Sequence, residues 1–334
     1  NGSVLGDRHV GGLTGYNKYL YDGVEERSWG SISNCHSRAD VTGADYVGGL
    51  AGTNSGNMID SYSTGTVRGT ENVGGLAGYH SGYGDATRCY SISVVTGEHR
   101  VGGLVGQDYG PINACCSTGV VSGEYSVGGL VGVINPSGNV SQCFSTGAVD
   151  GSTHVGGLVG QNTGNVTNSY STGSVVGVEY VGGLTGDNSA QSISKCYSTG
   201  PVTGFGWNVG GFLGIQQHTL GSVTGCFWDV ETSGLPYMCG KDSYLKCDDT
   251  SGLTTAEMQT AGTFLDAGWD FVEETANGRE DIWWVVEGQD YPRLAWERQL
   301  EMASPYGGGT GEPNDPYLIY TSGQLNTNGL REQD

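Results

Sequence analysis

One phrase recurs through most of this chain at nearly constant spacing. A valine followed by two glycines occurs at Val10, Val47, Val73, Val101, Val127, Val155, Val181 and Val209, at intervals of 37, 26, 28, 26, 28, 26 and 28 residues. A fixed period of this size marks a repeat architecture, in which each unit is covered by its neighbours. The long first interval holds an insertion at 16–30. A second phrase runs in step with the first: Ser61-Tyr62-Ser63-Thr64-Gly65, then 143–147, 169–173 and 196–200. Each unit is a set of short apolar β-type runs divided by glycine and asparagine, with no helical period before residue 230.

Such a unit cannot bury its apolar face alone, so the spacing predicts an all-β parallel β-solenoid of about eight coils. Like residues then stack about 4.8 Å apart, and eight coils make a rod of roughly 38 Å. Valine and leucine of V-G-G-L are three apart, which in a plain strand sends them to opposite faces. A bend at the glycine pair is expected to turn both inward. Next to each other run an aromatic column (Tyr62, Tyr90, Phe144, Tyr170, Tyr197, Phe227) and a column of Cys35, Ser61, Cys89, Cys115, Cys143, Ser169, Cys196 and Cys226. Parity leaves open which of the two points inward.

These phrases resemble the GLUG motif of bacterial and archaeal surface proteins and of some secreted peptidases and adhesins. The G-L-x-G signature stands at Gly49-Leu50-Ala51-Gly52 and at 103–106, and the Tyr-Ser-Thr-Gly phrase agrees. One copy departs, with Gly211-Phe212-Leu213-Gly214. The resemblance covers about 1–230 and implies the repeat type; the motif stands beside many activities and implies no single function.

Past residue 225 the rhythm stops. Residues 226–300 read as a C-terminal α+β cap, with a helix starting at Thr254-Thr255-Ala256-Glu257 and a tryptophan-rich strand in which Trp283, Trp284, Tyr291 and Trp296 are placed to cover the last coil. Cys239 and Cys247 close a short loop suited to a disulfide of about 2–4 kcal/mol. Residues 301–334 form an extension that resembles the segment preceding the first coil in proteins of this type, while residue 1 already stands inside a repeat. Asn1 reads as a processed or truncated end. Either the chain is a piece of a longer protein with tandem solenoids, or the extension docks on the first coil of the next copy. The second reading is favoured, with Tyr306, Pro316, Tyr317, Leu318, Ile319, Tyr320 and Leu325 as the docking residues and Val4, Leu5, Val10 and Leu13 as their acceptor.

Composition narrows the function. Of 334 residues 62 are glycine and 8 proline, without a collagen period. The net charge is −21 with 14 basic residues, which disfavours nucleic acid. No apolar run is long enough to span a membrane. The glycine phrase lacks the lysine and helix of a phosphate loop. The nine cysteines contain no zinc-type pair, and no cofactor is expected. Calcium is a weak candidate at Asn314-Asp315, without EF-hand spacing. The acids Asp45, Glu71, Glu98, Glu124 and Glu179 fall at coil corners, where solvation explains them better than polysaccharide cleavage does. The column of Cys89, Cys115, Cys143, Cys196 and Cys226 is either a disulfide ladder or, by default, a file of buried thiols. Asn139 and Asn165 begin glycosylation sequons. The Ser-Thr pairs of the second phrase are expected to hydrogen-bond along the stack. Together these features point to a non-enzymatic extracellular or cell-surface structural protein that assembles with copies of itself. A stalk binding surface glycans is the alternative, and a polysaccharide-degrading enzyme the third reading.

Overall fold

The computed structural model describes residues 2–20, 28–189, 192–217, 221–242 and 247–298. The chain divides into two compact units, 1–258 and 259–334, so the boundary falls inside the stretch read as one cap.

The first unit is a parallel β-solenoid of about eight coils, and every coil lays one short strand into each of five sheets. The first sheet runs from Ser3–Leu5 to Val202–Gly204, and the second from Arg8–Gly11 to Val209–Gly210. The third runs from Thr14–Asn17 through Leu213–Gln216 to Cys239–Asp242, and the fourth from Ser31–Ser33 to Val223–Thr224. The fifth runs from His36–Ser37 through Phe227–Asp229 to Gly252–Leu253. The repeat valines pair directly, Val10 with Val47 and so on to Val209. The insertion leaves this register intact, because Tyr19–Leu20 and Ser28–Trp29 pair with each other as an antiparallel ribbon.

The interior is divided into two files. Valines of the first and second sheets fill one file, including Val41, Val47, Val67 and Val73. The leucines of V-G-G-L fill another with Ala51, Met58, Ile112 and the cysteines. Both residues do point inward, but into different files. Between the files, the second glycine of each phrase meets a serine of the fifth sheet. A Cβ on Gly75 would overlap the Gly103 carbonyl oxygen and the Ser91 hydroxyl. Ser63 and Ser198 donate to the carbonyls of Gly75 and Gly211 at 2.5 and 3.0 Å. Ser117, Ser145 and Ser171 lie in the same buried file with hydroxyls lacking a partner. Only glycine lets the walls approach this closely, and the approach pinches the lumen in two.

The turns use left-handed backbone that the sequence does not announce. The residue before each repeat valine (His9, Tyr46, Asn72, Arg100, Ser126, His154, Tyr180, Asn208) has φ between 51° and 63°. A second file with φ between 46° and 53° precedes the cysteine–serine column: Asn34, Asp60, Arg88, Ala114, Gln142, Asn168 and Lys195, with Gly225 taking the position in the last coil. Asparagine and glycine tolerate this region; the others cost about 1 kcal/mol or more and are held by the ladders on either side.

The parity question resolves with the cysteines in the interior file and the aromatics on the opposite face of the fifth sheet, where Tyr62 and Tyr90 are half-buried and Phe144, Tyr170 and Tyr197 are buried. Cys115, Cys143 and Cys196 are fully buried in the leucine file. The aromatic rings stack coil on coil at 4.6–5.0 Å, His36 on Tyr62 on Tyr90 and Phe144 on Tyr170 on Tyr197, with Cys116 between the two stacks.

Trp228 ends the pinch. It takes the place after Ser198 in the serine file, fully buried against Gly211, and its indole N–H donates to the Leu235 carbonyl at 2.9 Å. Asp229 caps a short helix, Val230–Ser233, by accepting from the amides of Glu231 and Thr232. The second helix, Thr255–Met258, opens with a reciprocal capping box: Thr254 N–H donates to the Glu257 carboxylate at 2.8 Å, and Glu257 N–H donates to Thr254 Oγ1 at 3.3 Å.

The second unit holds a helix, Ala261–Asp266, and the antiparallel pair Trp283–Trp284 with Arg293–Leu294. Its core gathers Phe264, Trp269, Phe271 and Trp283; the Trp269 and Trp283 ring centroids are 4.4 Å apart. Thus Trp283, read as a cover for the last coil, packs among aromatics of its own unit. Among the described residues no helix is long and apolar enough to cross a membrane. Residues 301–334 lie outside the described residues, and with them Tyr306, Pro316, Tyr317, Leu318, Ile319, Tyr320 and Leu325 of the docking segment and Asn314-Asp315 of the calcium reading.

Candidate functional site

The richest side-chain chemistry lies at one outer corner, where the second sheet turns into the third. The left-handed residue before each repeat valine throws its side chain outward. There it meets an outward residue of the third sheet in the following coil: His9 Nδ1 lies 2.8 Å from Thr53 Oγ1, Tyr46 packs edge-on against Tyr79, and His154 faces Asp187. The corner therefore displays a new pair of side chains at each coil.

In the first four coils the display is aromatic. His9 contacts Tyr16 and stacks on Tyr46, with centroids at 5.3 and 4.8 Å. Tyr46 contacts Tyr79 at 5.8 Å, and Tyr79 contacts Tyr109 at 5.4 Å. The Arg8 guanidinium lies over Tyr46. Burial among neighbouring phenols pushes the Tyr79 hydroxyl up to about 12.

Farther along the rod the corner becomes a carboxylate site. Asp187 accepts from Ser189 Oγ at 2.7 Å, from Gln161 Nε2 at 3.3 Å and from Gln217 Nε2 at 3.1 Å, and lies 3.8 Å from His154 Nε2. Burial raises the Asp187 pKa and lowers that of His154. The carboxylate stands between serine and histidine. A nucleophile–base relay needs the histidine in the middle, so this order does not activate Ser189.

Beneath the corner runs a polar ladder. Asn17 donates to Asn54, Asn162 to Asn188 and Asn188 to Gln216, at 2.6–2.8 Å. Three rungs depart from the amide series: Ile134, and before it His80 and Asp108, fully buried and joined Nδ1 to Oδ1 at 2.8 Å. His80 Nε2 and Asp108 Oδ2 have no partner. Burial holds the Asp108 pKa above the ordinary aspartate value, against the opposing pull of His80.

The residues expected to matter fall elsewhere. Cys239 and Cys247 are joined in a disulfide, with Cα atoms 6.1 Å apart. Cys89, Cys115, Cys143, Cys196 and Cys226 are free thiols, which corrects the disulfide-ladder alternative. Each donates to a carbonyl two residues back, at 3.1–3.5 Å. Stacked side chains leave the wall in parallel about 4.8 Å apart, whereas a disulfide needs Cβ atoms aimed at each other. Burial and contact with the next thiol push Cys115 and Cys196 well above the ordinary thiol range; for Cys89 the contact with Cys115 dominates. Val4, Val10 and Leu13 begin interior files, and Leu13 is 51% exposed where Leu50 is fully buried. Leu5 pairs with outward-facing Thr42 and is 78% exposed, outside both interior files. Asn139 and Asn165 pair on the fourth sheet, exposed and half-buried. Asp45, Glu71 and Glu179 lie in the second sheet; Asp45 pairs with Arg8 at 3.1 Å and Glu71 with Arg100, so Asp45 and Glu71 join neighbouring coils. Among the described residues no group of three or more His, Cys, Asp or Glu could hold a metal ion.

Sequence reasoning missed the corner display because its members share no residue type. The signal was positional: whatever precedes V-G-G faces outward.

The GLUG motif matches residues 43–68 and 151–176, so the solenoid carries GLUG repeats. A stretch of 105 residues, 30% of this chain, is 34% identical to the "Putative Gly-rich membrane protein" of Evansella cellulosilytica. The match spans 10% of that relative's length. A solved structure from Bacteroides ovatus, of a "putative immunoglobulin A1 protease", superposes with a TM-score of 0.46 and 17% identity, over 80% of this chain and 75% of that one.

Proposed function

We propose that this GLUG-repeat β-solenoid is a structural rod of an extracellular or cell-surface protein and has no catalytic role of its own. The observation that carries the reading is continuity. The same five strands stack in register through about eight coils around filled interior files, which suits a stiff spacer. The Cys239–Cys247 disulfide supports an oxidising compartment.

In its finer form the reading joins rods head to tail. The apolar segment of residues 304–334 adds to the first coil of a neighbouring copy, covering Leu13 beside Val4 and Val10. A contact of this kind repeats without closing and makes a filament. The exposure of Leu13, against full burial of Leu50 one coil on, supports that acceptor.

Electron microscopy and sedimentation of the purified chain test both levels. Filaments are expected from the full chain, and short rods from a chain ending at residue 303 and from Leu13→Asp. Filaments from all three, or from none, defeat the docking. Turnover of a polysaccharide or peptide by the purified chain defeats the non-enzymatic rod.

A further inference from the structure

We infer that the aromatic corner of the first four coils is a binding strip for a linear, neutral polysaccharide. This goes beyond the rod reading and stands on different residues.

Five rings follow one another without a gap: Tyr16, His9, Tyr46, Tyr79 and Tyr109, with centroid separations of 4.8–5.8 Å. Tyr83 follows the third-sheet strand Ala77–His80 that carries Tyr79 and is 62% exposed; Tyr16 is 47% exposed. Because rings are added coil by coil, the strip follows the solenoid axis. Four coils give it a length of roughly 15–20 Å, which suits a chain molecule better than a compact one.

The fold does not ask for tyrosine here. In register with Tyr16 and Tyr79, the same third-sheet position holds Thr53, Gln107, Val133, Gln161, Asp187 and Ile215. The left-handed position of Tyr46 holds Asn72, Arg100 and Ser126 in the next three coils. In the fifth coil the pattern lapses to Ser126 and Val133. A half-exposed aromatic run at positions that accept polar residues elsewhere is a feature added to the scaffold.

The chemistry selects the partner. A pyranose ring has an apolar C–H face and a rim of hydroxyls. Tyrosine offers the complement, an aromatic face with a hydroxyl at its edge. Further polar atoms are in place: the His9–Thr53 pair, and Gln107 Nε2, 3.4 Å from Tyr109 Oη. A net charge of −21 works against a polyanionic partner, so neutral glycans are favoured over polyuronates or anionic lipid. Hydroxyls spaced among the rings also suit a sugar better than an acyl chain.

Affinity electrophoresis of the full chain tests this, in native gels containing hydroxyethyl cellulose, xyloglucan, mannan, dextran or polygalacturonate. At least one neutral polymer is expected to retard the protein, and polygalacturonate is not. Tyr16→Ser with Tyr83→Ser, both at exposed positions, should weaken binding about tenfold without changing the melting curve. Tyr16→Phe with Tyr83→Phe should keep most of it, since the ring faces remain. Phe205→Ser with Trp207→Ser removes two exposed aromatics elsewhere and should leave binding unchanged. No retardation by any neutral polymer overturns the proposal. So does full binding by the Tyr→Ser pair, loss in the Tyr→Phe pair matching that in Tyr→Ser, loss in the Phe205/Trp207 pair, or preference for polygalacturonate. Retardation is read as mobility relative to a polymer-free gel, where self-association alters both lanes alike, so this proposal and the rod reading fail independently.

Discussion

The hydroxyl of Ser63 donates to the carbonyl oxygen of Gly75 at 2.5 Å, across the interior. The bond ties the Ser-Thr-Gly phrase of one coil to the V-G-G phrase of the next, at the point where the lumen is narrowest. Valine fills the space on one side and leucine, alanine and cysteine the other.

The glycine at that wall should resist any side chain. Gly75→Ala places a methyl group on a neighbouring backbone oxygen and on Ser91. Overpacking of this kind costs about 3 kcal/mol or more when backbone has to move. Urea unfolding followed by circular dichroism measures the loss, and a variant within about 0.5 kcal/mol of wild type would contradict the pinched lumen.

The wall serines should not be equivalent. Ser63→Ala loses a buried hydrogen bond and is expected to cost about 1 kcal/mol. Ser145→Ala removes a hydroxyl with no partner and is expected to be neutral or slightly stabilising. The difference between the two unfolding midpoints is the check; equal losses argue against the geometry described for Ser63.

Ala114 occupies a left-handed position with φ 51°, which Gly225 takes in the last coil. Ala114→Gly is therefore expected to stabilise the solenoid by about 1 kcal/mol, the reverse of the usual effect of glycine in a strand-rich chain. A lower melting temperature for this variant would show that the turn is not strained.

The thiol file predicts a reactivity pattern. In the folded protein Cys89, Cys115, Cys143, Cys196 and Cys226 should resist a thiol reagent, and half-buried Cys35 should react first. In denaturant without reductant, seven thiols are expected to titrate, the Cys239–Cys247 pair remaining closed. A count of five or fewer would reinstate bridges within the file.

Asp108 should leave a mark on stability against pH. Its folded pKa lies above the unfolded value of 3.8, because burial penalises the carboxylate. At pH below 3.8 the proton is bound in both states and the penalty is absent. As pH rises through the folded pKa, the unfolded chain releases its proton more readily, and stability falls. Asp108→Asn abolishes this loss, so its advantage over wild type should grow as pH rises from about 3 to 7. Urea titrations across that range settle the point; a constant difference would place the Asp108 charge in a solvated setting.

Much of this could be read from spacing. The interval between V-G-G phrases gave coil number and register, since a parallel stack requires like residues to pair. Thr254 and Glu257 announced their capping box, a local motif needing only four residues. The lumen's division was not readable: Val73 and Leu76 look like neighbours in one apolar phrase, and nothing local says that Gly75 meets Ser91 on the opposite wall. Nor was the aromatic corner readable. Tyr46 and Tyr79 are 33 residues apart at different places in their repeats, and they touch only because the chain turns left-handed at Tyr46.

By itself, then, the order of residues determined a stacked β architecture, because a short β unit repeated eight times can bury its apolar residues only against copies of itself. The tertiary structure decided which face of each strand is inside, how the lumen is partitioned and which side chains share the surface corner. Those follow from contacts between coils and across the lumen, where the approach of two backbones and the sign of one φ angle outweigh any preference written in the local sequence.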